Sequence, residues 1–251
     1  MSSGVIRRGS TVRRRIGPWT PTVHALLRHL EHVGFPGSPR VIGVDGDIEI
    51  LTFIEGEVAV DPTWEPGHGD HLPASVRSDD ALRGTASLLA EYHAAVDGFD
   101  PPEPGFRFHS HTRRSTELIC HGDPGPWNTV YRQGLPVALI DWDSCQPLER
   151  IVDVAFAAWA YVPLAPPSRL VEAGFSSDVD VGDRLRVFVD TYGIEDRRLI
   201  LPALHSAGLI AAERVRFWPI SSADAAKALD LIAADLRWLD SMSRSFETSL
   251  R

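Results

Sequence analysis

The sequence predicts an α+β fold in which a small N-terminal antiparallel sheet with one helix precedes a larger, mainly helical C-terminal part. Three observations carry this. Up to residue 54, short β-prone runs are broken by Gly9-Ser10 and by Asp45-Gly46-Asp47, with a single helical stretch among them. From residue 79 onward, apolar residues recur at helical spacing over long segments. The Pro-, Gly- and His-rich stretch VDPTWEPGHGDHLP lies between the two regions and reads as their link, just after a hinge at Glu55-Gly56.

The elements follow in order. Residues 5–8 and 11–14 read as two strands about Gly9-Ser10. Thr20 then reads as a helix N-cap with Pro21 at the first helical position; Val23, Leu26, Leu27 and Leu30 supply the apolar face, and Gly34 stops the helix. PRVIGV and IEILTFI flank Asp45-Gly46-Asp47 as a hairpin. Residues 79–96 carry Leu82, Leu88, Leu89 and Tyr92 on a largely apolar helical segment. Residues 129–132 and 137–140 are short β-prone runs separated by Gln133-Gly134-Leu135-Pro136. After an apolar run at 153–161, residues 183–192, 198–217 and 222–246 read as helices. The last repeats Leu229, Ile232, Ala233, Leu236 and Leu239 behind Ser221 or Ser222 as cap, and its Asp224, Asp230 and Asp235 read as a solvated face. Trp159, Trp218 and Trp238 read as core, with a place in a substrate pocket as the alternative.

Composition excludes several classes of function. At 251 residues and 43% hydrophobic, the chain can bury one large or two modest cores. A net charge of -9 argues against nucleic acid as partner, because phosphate backbones are held by basic surface. No apolar run approaches the roughly 20 residues that span a bilayer, so no membrane partner is expected. Cys120 and Cys145 lack CxxC spacing and read as reduced thiols of a cytoplasmic protein. Lys227 is the sole lysine, which rules out a Gly-Lys-[Ser/Thr] phosphate loop. Any phosphate contact from the N-terminal half falls to arginine or to backbone N–H groups.

Chemistry concentrates in ICHGDPGPWNTVYRQGLPVALIDWDSC, residues 119–145. If its two β-prone runs pair antiparallel, Asn128 before the first faces Asp141 after the second, with Cβ atoms about 5 Å apart. An amide oxygen and a carboxylate can then share a cation, and such a hard-oxygen pair suits Mg²⁺ holding substrate phosphates. Asp143 returns to the Asp141 face if the chain is extended, and either reinforces the metal site or faces solvent. Asp123 sits in a loop stiffened by Pro124 and Pro126; rigid placement is what the base of a phosphoryl transfer needs, and the Asn128/Asp141 pair nearby favours that reading over a mere turn-forming Asp before proline. His121 reads as a fastener of this loop rather than a second base. His68 with His71, and His109 with His111, lie in loops without a third ligand at metal-site spacing and read as solvated.

HGDPGPWN, residues 121–128, followed by IDWD, residues 140–143, resembles the catalytic loop and metal-binding segment of the aminoglycoside phosphotransferase and choline kinase family, relatives of protein kinases. The resemblance covers most of the chain: Leu51 to Gly56 resembles the hinge, Glu91-Tyr92-His93 the helix before the catalytic loop, and Asp153-Val154-Ala155 the buried aspartate segment after it. It implies a protein-kinase-like two-lobe architecture, with residues 1–56 a shortened nucleotide-binding lobe and hinge, and 57–251 a helical lobe holding the catalytic loop and substrate pocket. It further implies ATP or GTP as phosphate donor, Mg²⁺ as cofactor and a small-molecule hydroxyl as acceptor. By carry-over Asp123 is the catalytic base, Asn128 and Asp141 are metal ligands with Asp143 beside them, Phe53 and Ile54 belong to an adenine-contacting linker, and Asp153 supports the loop with His121.

The N-terminal part departs from the family pattern. Only Ser2-Ser3-Gly4 precedes the first strand, where a glycine-rich loop between two strands would normally cover the phosphates. Arg13 or Arg14 stands where the third-strand lysine is expected, and the helix that should pair a glutamate with it offers Glu31 near its end. A catalytically silent nucleotide or small-molecule binding protein of the same fold is the alternative function. IDWDSC also resembles the D-x-D nucleophile segment of haloacid-dehalogenase-type phosphatases, but it follows a hairpin rather than the first strand of a parallel sheet, and no lysine lies near. Asp178, Asp180, Asp224 and Asp230 would suit a cationic acceptor, though exposed helix charge accounts for them equally well.

Overall fold

The computed structural model describes residues 4–60, 71–102, 105–108 and 113–251. Strands β1 (Ile6–Arg8), β2 (Thr11–Arg15), β3 (Val41–Asp45) and β4 (Ile48–Thr52) form an antiparallel sheet in the order β1-β2-β4-β3. Helix α1 (Thr20–His32) links β2 to β3 and buries Val23, Leu26, Leu27 and Leu30. Thr20 is the first helical residue rather than the cap: Trp19 takes the cap position, and Thr20 Oγ1 accepts a hydrogen bond from the Gly17 N–H at 2.9 Å. Pro21 still sits in the first turn, where its missing N–H would have had no helical partner. In the β2–β4 pairing Arg14 lies opposite Glu49 and Val12 opposite Leu51. Alternation therefore sets Val12, Arg14, Glu49 and Leu51 on one face and Arg13 with Ile50 on the other.

After Gly56 the chain joins the sheet that carries the central motif. Strand β5 (Glu57–Val58) pairs with β7 (Thr129–Arg132), which pairs with β8 (Leu135–Leu139), while β6 (Leu118–Cys120) and β9 (Gln146–Leu148) form a separate antiparallel pair. The β7–β8 turn is tighter than the expected four residues. Only Gln133 and Gly134 form it, both at positive φ (54° and 79°), the conformation that matches the twist of two hairpin strands. Leu135 and Pro136 belong to β8, and proline is tolerated there because β8 is an edge strand.

The helical region comprises α2 (Asp79–Ala95), α3 (Arg150–Tyr161), α4 (Pro167–Glu172), α5 (Val181–Tyr192), α6 (Ile200–Val215) and α7 (Ser222–Ser249). Three starts are capped by side chains: Ser78 accepts from the Ala81 N–H, Asp180 from the Asp183 N–H, and Ser221 from the Asp224 N–H. The sequence reading omitted α4, whose six residues are too few for a periodic signal. One continuous core joins α1, α2, α3, α5, α6 and α7. At its centre the Tyr92 hydroxyl donates to the Ile119 carbonyl, and its ring meets Trp142 edge-on at 4.9 Å, so α2 fixes the segment that enters the motif.

Trp159 and Trp238 pack against this core, whereas Trp218 is exposed. Cys120 and Cys145 are buried free thiols. His71 Nδ1 donates to the Glu172 carbonyl at 3.0 Å; His68, His109, His111 and most of the link at 61–70 fall outside the described residues. Among the described residues no helix is long and apolar enough to cross a membrane.

Asp230 is exposed and Asp224 half-buried at the surface, as a solvated face allows, but Asp235 is buried. It is 3% exposed, accepting from Trp159 Nε1 at 3.1 Å and from Arg169 Nη1. The unforeseen α4 supplies that arginine. Removing one partner of a buried pair leaves the other charge uncompensated, so Asp235→Ala should lower the unfolding free energy by about 3 kcal/mol. Asp230→Ala should change it by no more than about 0.5 kcal/mol. Urea denaturation of the two variants checks both values, and equal effects would contradict the burial of Asp235.

Candidate functional site

The site is built on a buried carboxylate. Asp153, in the first turn of α3, accepts from the His121 N–H at 3.0 Å and the Gly122 N–H at 2.8 Å, while His93 Nε2 from α2 lies 3.1 Å away. Burial pushes its pKa upward, but the His93 hydrogen bond and these neighbours outweigh it, leaving the group below the ordinary aspartate range. The fully buried His121 ring donates from Nε2 to the Ile140 carbonyl at 3.0 Å, which ties the loop to the far end of the hairpin. Its Nδ1 faces the Asp123 N–H at 3.3 Å, which fixes one neutral tautomer. Burial lowers the His121 pKa, in keeping with that neutral state. Gly122 has φ +81°, and a Cβ there would lie 2.3 Å from the Ser144 carbonyl oxygen.

Asp123 follows in the turn so defined. Trp127 Nε1 donates to both carboxylate oxygens at 3.2 Å, and Asn128 Nδ2 donates to Asp123 Oδ2 at 2.8 Å and to its carbonyl at 2.9 Å. A short 3-10 turn, Pro126–Asn128, brings both donors round. Burial raises the Asp123 pKa, only partly countered by His121 and the Trp127 hydrogen bond. Because Asn128 points its NH₂ at a carboxylate, its Oδ1 is turned away from Asp123 and is the oxygen left for another ligand.

Asp141 and Asp143 reach a common partner by a route the sequence reading did not foresee. In the hairpin register Asn128 is bonded to Ile140, not Asp141. Asp141 adopts a left-handed conformation (φ 58°, ψ 64°), and Trp142–Ser144 coils into a 3-10 turn instead of continuing extended. That turn sinks Trp142 into the core and leaves both carboxylates facing β2. Arg14 meets them: Nη1 donates to Asp141 at 2.8 Å and Nη2 to Asp143 at 2.6 Å, while Nε donates to Glu49 at 2.5 Å. Glu49 is 1% exposed and also lies 2.6 Å from His24 Nε2 of α1. Burial works against the Arg14 charge, but Asp143, Asp141 and Glu49 more than offset it, so the guanidinium stays protonated. Burial raises the Asp143 pKa in spite of Arg14.

Asp141 and Asp143 thus already hold one cation between them, and with Asn128 they offer the hard oxygen donors that suit Mg²⁺. Arg13 lies on the opposite face of the sheet and is not brought to this group. Phe53 and Ile54 are half-buried beyond β4, with the Arg7 guanidinium 3.6 Å above the Phe53 ring and paired to Glu55 at 2.5 Å. Glu31 is exposed; the acid that pairs with the N-terminal arginine is Glu49, backed by His24. Its signal was present in IEILTFI, where a lone carboxylate shares the inward face with Leu51 and so requires a buried partner. Arg214 was also missed: it lies seven residues after Ala207 on the buried stripe of α6 and donates from Nη1 to the Gly122 carbonyl.

Comparison with known proteins agrees with this architecture. Residues 107–188 match the model of the phosphotransferase enzyme family. A trifolitoxin immunity protein of Rhizobium leguminosarum bv. trifolii is 34% identical over 222 residues, spanning 83% of this chain and 80% of that protein. Among solved structures, the amicoumacin kinase hAmiN superposes with a TM-score of 0.61 at 11% identity, covering 96% of this chain and 89% of its own. A choline/ethanolamine kinase family protein from Mesorhizobium loti gives 0.59 at 14% identity, covering 98% and 87%. Aminoglycoside 2'-phosphotransferase-IIIa gives 0.55 at 14% identity, covering 94% and 90%. With HGDPGPWN and IDWD brought together on a kinase-like fold, the chain belongs to the phosphotransferase enzyme family.

Proposed function

We propose that the chain transfers the γ-phosphate of ATP or GTP to a hydroxyl of a small molecule, with residues 1–56 as the nucleotide lobe and hinge and 57–251 as the catalytic lobe. The observation that carries this reading is the convergence of Asp123, Asn128, Asp141 and Asp143 from one hairpin and its flanking turns, with Arg14 reaching them from the N-terminal sheet. Asp123 accepts the proton of the acceptor hydroxyl, its carboxylate aimed by Trp127 and Asn128. Mg²⁺, held by Asn128, Asp141 and Asp143, would neutralise the donor phosphates when bound. Arg14, a planar fork suited to phosphate oxygens, exchanges its aspartate partners for the donor while Glu49 retains its Nε. Phe53 and Ile54 line the adenine side.

The 34% identical relative named for trifolitoxin immunity favours a second reading, in which the chain protects its host by sequestering a toxin without turnover. A thermal-shift titration with ATP, GTP and Mg²⁺, followed by an acceptor screen scored for ADP or GDP release, separates the two.

Under phosphotransfer, Asp123→Asn should leave nucleotide affinity nearly intact and lower kcat by at least about 100-fold. A parallel loss of affinity would make Asp123 a metal ligand instead. Because burial raises its pKa and the base works deprotonated, kcat/KM should fall as pH drops through a value above the ordinary aspartate value of about 3.9. A pH–rate profile locates that limb, which Asp123→Asn should abolish. Asp141→Asn should remove the Mg²⁺ dependence of nucleotide binding and Asn128→Ala should weaken it; unchanged Mg²⁺-nucleotide affinity in both would refute the ligand assignment.

A further inference from the structure

Arg214 carries hydrogen-bonding capacity that the phosphotransfer chemistry above does not use. The residue is 8% exposed, and only Nη1 is engaged, on the Gly122 carbonyl. Nε and Nη2 are buried and have no acceptor among the described residues. The rings of Phe108 and Phe156 lie 5.1 Å from the guanidinium carbon, orienting the group without accepting its N–H bonds. The nearby carboxylates are committed elsewhere: Asp123 to Trp127 and Asn128, Asp153 to the backbone of residues 121 and 122. A guanidinium removed from water with idle donors is costly unless an anion completes it.

The same side chain forms part of the wall of a cavity of about 430 Å³, a size that suits a small organic molecule. Glu117, also in the wall, is already occupied, since both its oxygens accept from Arg114 through the backbone N–H and Nε at 2.8 Å each. Arg114, paired with Glu117, and Arg216 add two further cations and the exposed Glu213 a second acid, whereas Ile210 and Phe217 supply apolar surface. Asp178, Asp180, Asp224 and Asp230 do not line it, so the acids that would have suited a cationic acceptor stand elsewhere. In a chain of net charge -9, this cavity keeps a buried guanidinium beside the loop that carries Asp123; Asp123 and Asp153 act on its charge through space but leave Nε and Nη2 without an acceptor among the described residues.

We propose that Arg214 is an oxyanion-binding subsite and that the acceptor carries a carboxylate or a phosphate ester, gripped there while its hydroxyl faces Asp123. The word acceptor rests on the phosphotransfer reading; the subsite itself does not. Because Nη1 already holds the carbonyl of the residue preceding Asp123, the anion and the reacting hydroxyl are referenced to the same turn of chain. Charge-assisted hydrogen bonds to Nε and Nη2 would discriminate against neutral analogues of the same shape.

Calorimetric titration of the full chain with inorganic phosphate, with glycerate and with glyceramide as glycerate's uncharged match tests this. Binding of at least one anion at about millimolar Kd is expected, with glyceramide at least about tenfold weaker than glycerate if glycerate binds. Glycerate binding identifies a carboxylate ligand, and phosphate binding alone a phosphate ester. Arg214→Gln should weaken the bound anion by about tenfold or more. Since Arg214 also braces the catalytic loop, Phe217→Glu is the second variant: Phe217 is exposed, and a carboxylate there should repel the anion without disturbing the loop. Absence of binding by both anions, equal binding of glyceramide, or anion affinity unchanged in both variants overturns the proposal. Anion binding without Mg²⁺-ATP or Mg²⁺-GTP binding would keep the subsite and refute phosphotransfer; nucleotide binding and transfer to neutral acceptors, indifferent to Arg214, would do the reverse.

Discussion

Everything at the site depends on one ionised carboxylate sealed inside the protein. Asp153 has no access to solvent, so its charge is tolerated only because two consecutive backbone N–H groups and His93 surround it. The relation is reciprocal. Those N–H groups belong to residues 121 and 122, in a turn that forms no regular ladder, and without Asp153 they would be buried donors with nothing to bind. The conformation that presents Asp123 is therefore held from behind by α3, just as Tyr92 of α2 holds the preceding carbonyl. Loop geometry is set by helix packing and not by the loop's own residues.

A second constraint joins the sheet to the turn that follows the hairpin. Arg14 touches three carboxylates drawn from two distant stretches of chain, and a flexible ammonium could not have held all three in one plane. That the chain has a single lysine, far away on α7, is consistent with a site whose cation must bridge rather than point. Glu49 and His24 hold the arginine from the sheet side, so its aim toward Asp141 and Asp143 is a property of β2, β4 and α1 together.

What could be read from the sequence was whatever short spacing encodes. Asp123, Asn128, Asp141 and Asp143 lie within 119–145, and the hairpin between them announces itself by its β-prone runs and Gln133-Gly134. Even there the details escaped: the left-handed turn at Asp141 and the coil at Trp142 replace the extended path that alternation suggests, because burying the indole is worth more than continuing the strand. Long-range partners were harder. Glu49, Arg214 and Asp235 are charges on inward faces, and each is tolerated by a residue tens of positions away in the chain. An inward charge can be spotted in a periodic pattern; its partner cannot, since pairing is decided by how helices and sheet stack.

The missing side chain at residue 122 has a mechanical consequence. With no Cβ, its backbone rests directly on the Ser144 carbonyl, and the turn bearing Asp123 and the turn bearing Asp141 and Asp143 touch main chain to main chain. Nothing soft lies between them, so neither turn can advance without carrying the other. Strand β5 is likewise stitched to β7, where Gly56 packs against the Tyr131 carbonyl. Asp123 and the two aspartates therefore stand on one continuous piece of backbone, and Arg14 reaches the aspartates from a strand outside it.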